Sequence, residues 1–184
     1  MTVKLALLKE AENKVREGGY NNFSFRELAT KIGIKSASVH YHFPTKEDLG
    51  AELARYYTDN FMNALGDPYS LVENKKHPVD IYIDQFRHAI LVDKRMCLCG
   101  VFASETDCLP DKIKQETTEF FNRNIQWLTN AYVASGNCTT LEAEKKAIQT
   151  LALLEGAMLI VKASEKFDKS DAFFEQACEA IQKL

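Results

Sequence analysis

Hydrophobic positions along this chain recur at intervals of three and four residues, and no stretch shows the alternation of a half-buried strand. Over residues 2 to 17, Leu5, Leu8 and Val15 fall on one side of a helix. The Gly18-Gly19-Tyr20 that follows supplies a residue able to take the left-handed conformation at a helix end. Ser24, with Glu27 three residues later, has the form of a capping box and predicts a short helix from Ser24 to Lys31. Gly33 permits a sharp turn after it. A third helix starts at Lys35 or Ser36, with Ser36 able to cap it, and runs to His42, because Pro44 disfavours helical geometry in the residue before it. Thr45 and Asp48 open a fourth helix, whose apolar face is Leu49, Leu53, Tyr57, Phe61 and Leu65, and which ends near Gly66-Asp67-Pro68.

Val79, Ile83, Phe86 and Ile90 predict a fifth helix. Between Cys97 and Cys108 the period fades, although Gly-Val-Phe-Ala-Ser-Glu-Thr at 100–106 holds a short helix. Pro110 and Asp111 begin a long one built on Ile113, Phe120, Trp127, Leu128 and Ala131, which stops at Ser135-Gly136-Asn137. Thr139 or Thr140 caps another, to about Lys166, and Ser170 begins the last. The expectation is an all-α fold of about nine helices with no internal repeat.

Composition adds boundaries. A chain of 184 residues, 46% apolar, with four prolines and eight glycines, is ordered and can bury one core or a small domain beside a larger one. The first residues turn charged too soon for a secretory leader, and the longest apolar run, 151–161, contains Glu155 and is too short to span a bilayer. Five cysteines without a framework rhythm fit free thiols in a reducing compartment, so a cytoplasmic location and no membrane association are expected. The net charge of −3 is uneven. Residues 1 to 46 hold eight Lys and Arg against four Glu, a net +4, which leaves −7 for the rest. A basic front on an acidic body implies that the front alone meets a polyanion.

Two short helices joined by a glycine turn form a helix-turn-helix, in which the second helix enters the DNA major groove and the first braces it. Any tight helical hairpin shares part of that pattern. The stretch Phe-Ser-Phe-Arg-Glu-Leu-Ala-Thr-Lys-Ile-Gly-Ile-Lys-Ser-Ala-Ser-Val-His-Tyr-His-Phe-Pro-Thr-Lys-Glu-Asp-Leu at 23–49 is more specific. With Leu28-Ala29, Gly33, the run Lys35 to Phe43, and Lys46-Glu47 with Leu49, it resembles the reading head of the TetR/AcrR family of bacterial transcriptional regulators over about residues 2 to 55. The resemblance implies an N-terminal three-helix DNA-binding domain, 1–46, and a helical ligand-binding and dimerisation domain, 47–184. It also implies that Ser24, Arg26 and Lys46 hold phosphates, while Lys35, Ser36, Ala37, Ser38, His40, Tyr41 and His42 present the recognition face. One position departs from the family pattern. The tyrosine usual three residues before the phenylalanine is His40 here, with Tyr41 following, so either ring is a candidate for the DNA contact. Val39 and Phe43 are expected in the core with Phe23, Phe25, Leu28 and Ile32. His40 and His42 do not suggest a metal pair, since two positions apart on a helix they point about 200° from each other.

The resemblance further implies a homodimer on a palindromic double-stranded operator, joined through the last two helices and released by a small-molecule inducer. The 148–164 segment fits such an interface, being apolar on more faces than one core requires. Pocket candidates are Phe61, Phe86, Phe102, Phe120 and Trp127 with Ile90, Cys97 and Met158, although each aromatic taken singly fits plain core better than ligand contact. Cys97, Cys99 and Cys108, downstream of Lys94 and Arg95, allow an alternative in which a thiol senses oxidants or electrophiles. A helical carrier or enzyme is the remaining alternative. No Gly-x-Gly-x-x-Gly, phosphate loop, His-Glu-x-x-His or Gly-x-Ser-x-Gly supports it, and no cofactor, metal or catalytic residue is expected.

Overall fold

The computed structural model describes residues 2–136, 138–164 and 170–184. Ten α-helices lie among them: α1 (Val3–Gly18), α2 (Phe25–Ile32), α3 (Ser36–His42), α4 (Lys46–Leu65), α5 (Pro68–Glu73), α6 (Pro78–Arg87), α7 (Leu98–Ser104), α8 (Asp111–Ala134), α9 (Thr140–Ala163) and α10 (Ser170–Ile181). No strand occurs among the described residues.

The helix beyond the expected nine is α5. Asp67 caps it by accepting from the Ser70 N–H at 2.8 Å, and Pro68 occupies its first position, where a missing N–H costs nothing. The same Gly-Asp-Pro that ends α4 thus starts the next helix. The predicted fifth helix is α6 followed by one π-helical turn, His88–Val92, in which Ile90 is buried. The short helix expected within 100–106 is α7, followed by a 3₁₀ turn at Thr106–Cys108. Thr139, rather than Thr140, caps α9 in a full capping box with Glu142. The final α9 residues expected as far as Lys166 lie outside the described residues.

The chain divides into two compact units, Met1–Asn60 with Leu98–Phe120, and Phe61–Cys97 with Phe121–Leu184. The first is built on Leu7, Leu8, Ala11, Val15, Leu28, Val39, Leu49 and Leu53, all buried. Its distant segment is fastened to the front by polar contacts. Lys112 Nζ lies 2.8 Å from Asp48 Oδ1, Arg55 pairs with Glu116, and the Tyr20 N–H donates to Glu105 Oε2 at 2.8 Å. Phe102 meets Tyr20, and Phe120 meets Tyr57, within the same unit.

The second unit centres on Tyr82, whose ring stacks on Phe86 at 5.3 Å and Trp127 at 5.6 Å and meets Phe61 edge-on. The Tyr82 hydroxyl donates to Asn124 Oδ1 at 2.6 Å and the Trp127 indole N–H to the Gly66 carbonyl at 2.7 Å, so both aromatic polar tips are satisfied. Helices α9 and α10 pack on each other, and Arg87 on α6 forks onto Glu175 on α10 at 3.0 and 3.2 Å.

A candidate nucleic-acid interface

The α2–turn–α3 element is assembled by three local devices. The Ser24 hydroxyl accepts from the Glu27 N–H at 3.3 Å, while Glu27 Oε2 accepts from both the Ser24 N–H and hydroxyl at 2.8 Å. These bonds to Ser24 hold the Glu27 carboxyl below the usual carboxylate range. At the far end of α2, Gly33 takes φ 74° and ψ 34°, and the Ile34 N–H returns to the Ala29 carbonyl at 2.9 Å, which turns the chain sharply into α3. After α3, Thr45 and Asp48 repeat the capping box, with the Asp48 N–H on Thr45 Oγ1 at 3.1 Å. Asp48 is held below its usual range chiefly by the Lys112 ammonium and also by Thr45.

Helix α3 is pinned by its only buried residue, Val39, and by Phe43 just beyond it. Lys35, Ser36, Ala37, His40 and Tyr41 are exposed, whereas Ser38 and His42 are half-buried. Ser36 does not cap the helix. Lys35 holds that position with an extended backbone and no side-chain cap, leaving the Ser36 hydroxyl outside the capping role. Phe25 and Ile32, expected in the core, are only half-buried, because Phe25 is drawn outward to meet the His40 ring at 4.9 Å.

That contact separates the two candidate rings. His40 is engaged by Phe25, and its Nδ1 lies 3.3 Å from the Pro44 carbonyl, which accepts. Tyr41 is 85% exposed, so its hydroxyl can reach a phosphate or base without breaking a core contact. Arg26 is exposed on α2. Ser24 has both its N–H and O–H donated to Glu27. Lys46 stands over the rings of Tyr20 and Phe23, 4.5 and 4.6 Å from their centroids, a seat that sequence spacing does not reveal. Burial there lowers its pKa, against the opposing pull of Glu27 and Glu105. The ammonium is held by the fold against both rings.

The family described as bacterial regulatory proteins, tetR family, matches residues 7–53, which span all three devices. A TetR transcriptional regulator from Legionella pneumophila is 30% identical, with a TM-score of 0.83, over 100% of this chain and 97% of that one. The chain belongs to the TetR family of transcriptional regulators. A TetR-family regulator from Agrobacterium tumefaciens is 25% identical, with a TM-score of 0.76, over 98% of this chain and 96% of that one. A transcriptional regulator from Rhodococcus shares the fold at 21% identity and a TM-score of 0.75, over 98% and 94%. No curated protein sequence matches the chain. Membership makes the chain a DNA-binding transcriptional regulator of that family.

The pocket candidates divide between the units. Phe61, Phe86, Ile90, Cys97, Trp127 and Met158 belong to the second, whereas Phe102 and Phe120 belong to the first, where they pack on Tyr20 and Tyr57. Two groups of the second unit escaped the aromatic count, Tyr82 at the centre of the ring cluster and Glu155 on α9. The signal for Glu155 was its place inside an apolar run. Among the candidate sensor thiols, Cys97 and Cys99 are buried and Cys108 is exposed. No helix among the described residues is long and apolar enough to cross a membrane.

Proposed function

We propose that this TetR-family regulator acts as a dimeric repressor that grips a palindromic operator and lets it go when a small molecule occupies the helical body. The observation that carries the reading is the outward face of α3. Lys35, Ser36, Ala37 and Tyr41 stand exposed beside a helix sealed to the core through Val39 and Phe43. Lys35 and Arg26 supply phosphate contacts, Ser36 bonds base edges and Ala37 meets a thymine methyl. In this reading Lys46 leaves its aromatic seat, or acts from it, to meet the backbone.

Dimerisation is supported by α9 and α10. Leu141, Ile148 and Leu159 are exposed at 64%, 49% and 54%, and their spacing of seven and eleven residues keeps them within roughly 20° of one line along the helix. Phe173 on α10 is 46% exposed. Covering such side chains returns about 1.5–3 kcal/mol each, which favours a second copy of the same surface.

Selection of bound duplexes from a random pool by the purified protein tests the reading. It expects a palindrome with half-sites about one helical turn apart or a multiple of it. Tyr41→Ala and Arg26→Ala weaken binding to that duplex while leaving thermal unfolding unchanged. Failure to enrich any duplex with a folded dimer would refute it.

A further inference from the structure

The break between α1 and α2 is held from a distant part of the chain. The α1 ladder ends where the Gly19 N–H returns to the Val15 carbonyl at 2.8 Å, and the next N–H, that of Tyr20, donates to Glu105 Oε2 at 2.8 Å. Tyr20 is buried, so removing that acceptor strands a donor. Gly19 makes the approach possible: it takes φ 83°, and a Cβ there would lie 1.8 Å from Glu105 Oε1. Phe102, three residues before Glu105, meets the Tyr20 ring edge-on at 6.4 Å. The C-terminal end of α7 thus grips both the backbone and the ring of Tyr20.

That ring is half of the seat of Lys46. The other half is Phe23, which meets Tyr20 edge-on at 6.0 Å. A lysine stem is flexible, and a cation already fixed over two rings has less freedom to lose when it meets a phosphate. Glu27 and Glu105 attract the ammonium electrostatically, but neither forms an ion pair with it among the described residues, so its N–H groups remain for an anion. Lys46 also lies in the first turn of α4, where the helix end favours negative charge. We propose that Glu105 is a positioning residue for DNA binding: through the Tyr20 N–H it fixes the ring platform from which Lys46 meets a phosphate of the duplex. The phosphate contact rests on the operator-binding reading above, whereas the link from Glu105 to the seat of Lys46 does not.

Glutamine at position 105 keeps an oxygen for the Tyr20 N–H, alanine keeps none, and aspartate draws the carboxylate back by one methylene. In the free full-length chain labelled with 13C-lysine, the Lys46 ε-methylene resonance, identified by its loss in Lys46→Ala, is shifted upfield by the two rings. Glu105→Gln keeps that shift, and Glu105→Ala abolishes it; Glu105→Asp does the same and serves if the alanine variant fails to fold. Binding to a fluorescein-labelled duplex of mixed sequence, about 30 base pairs long, is then followed by anisotropy across a salt series. Lys46→Ala lowers the slope of log K against log salt by about 0.9 per bound protomer, which is about eightfold in affinity at 0.1 M salt. Glu105→Ala and Glu105→Asp lower affinity by at least about threefold, Glu105→Gln does not, and the loss vanishes in the Lys46→Ala background. A ring-shifted Lys46 in folded Glu105→Ala, a Glu105→Gln protein that behaves as the alanine variant, unchanged binding by Lys46→Ala, or a loss as large in the Lys46→Ala background as in the parent would each overturn the role. A parent that binds no duplex, while Glu105→Ala still releases Lys46 from its rings, refutes the operator-binding reading. A duplex-binding parent in which Glu105→Ala changes neither readout refutes the role of Glu105 alone.

Discussion

Replacing Glu155 by glutamine isolates the energetic consequence of burying its charge. Burial moves the carboxyl from an ordinary 4.5 to about 7, and the Cys97 hydrogen bond reverses only part of that shift. The folded state therefore prefers the protonated acid. The stability this lends is fully present below about pH 4.5, the unfolded value, and is lost as pH rises toward and through about 7, the folded one. At about 1.4 kcal/mol per pH unit between the two values, the loss amounts to about 3 kcal/mol. Glutamine has nearly the same shape and no such titration. Urea unfolding of parent and Glu155→Gln, both at one fixed protein concentration so that any self-association is matched, gives the difference at each pH. The variant should match the parent within about 1 kcal/mol near pH 4.5 and exceed it by about 3 kcal/mol at pH 8. A difference that does not vary with pH would show that the carboxyl is solvated in the folded protein, and the argument for a buried acceptor would go with it.

Gly19 takes φ 83° and ψ −177°, a region closed to other residues, and a Cβ there would sit 1.8 Å from Glu105 Oε1, whereas Gly33 at φ 74° has open space around it. Gly19→Ala should therefore lower stability by about 3 kcal/mol or more, and Gly33→Ala by only about 1–2 kcal/mol, in the same urea assay. Ser24→Ala removes the hydroxyl of the α2 capping box and should cost about 1 kcal/mol, with the helix-rich circular dichroism retained. Tyr82→Phe deletes a buried 2.6 Å hydrogen bond to Asn124 and should cost about 1–2 kcal/mol; a smaller loss would mean that Asn124 finds another partner. Leu159→Glu, at an exposed apolar position on α9, should shift sedimentation equilibrium toward monomer, and an unchanged dimer would place the interface elsewhere.

Features encoded by neighbouring residues were legible in the sequence. The Ser24 and Glu27 box, the Gly33 turn and the stop at Pro44 each depend on side chains within four positions of the backbone they satisfy, so spacing alone locates them. The helix α5 was missed because Asp67-Pro68 carries a start signal as well as a stop, and six residues are too few for an apolar period to declare itself. What the sequence could not show was pairing at a distance. Lys46 reads as a free cation beside a helix start, yet it is seated on Tyr20 and Phe23, twenty-odd residues back. The same limit divided the aromatic candidates, since a helical period reports that Phe102 and Phe120 are buried but not in which unit. Glu155 was visible only as an interruption, and the sequence does not show that its Oε1 is buried without a hydrogen bond.

Residues 98–120 fasten the N-terminal helices of the first unit at three points. Glu105 holds the Tyr20 N–H and packs against Gly19, Lys112 holds Asp48 in the capping box that starts α4, and Glu116 holds Arg55. All three anchor points flank the α2–turn–α3 element rather than lying within it, so the exposed face of α3 stays clear of them.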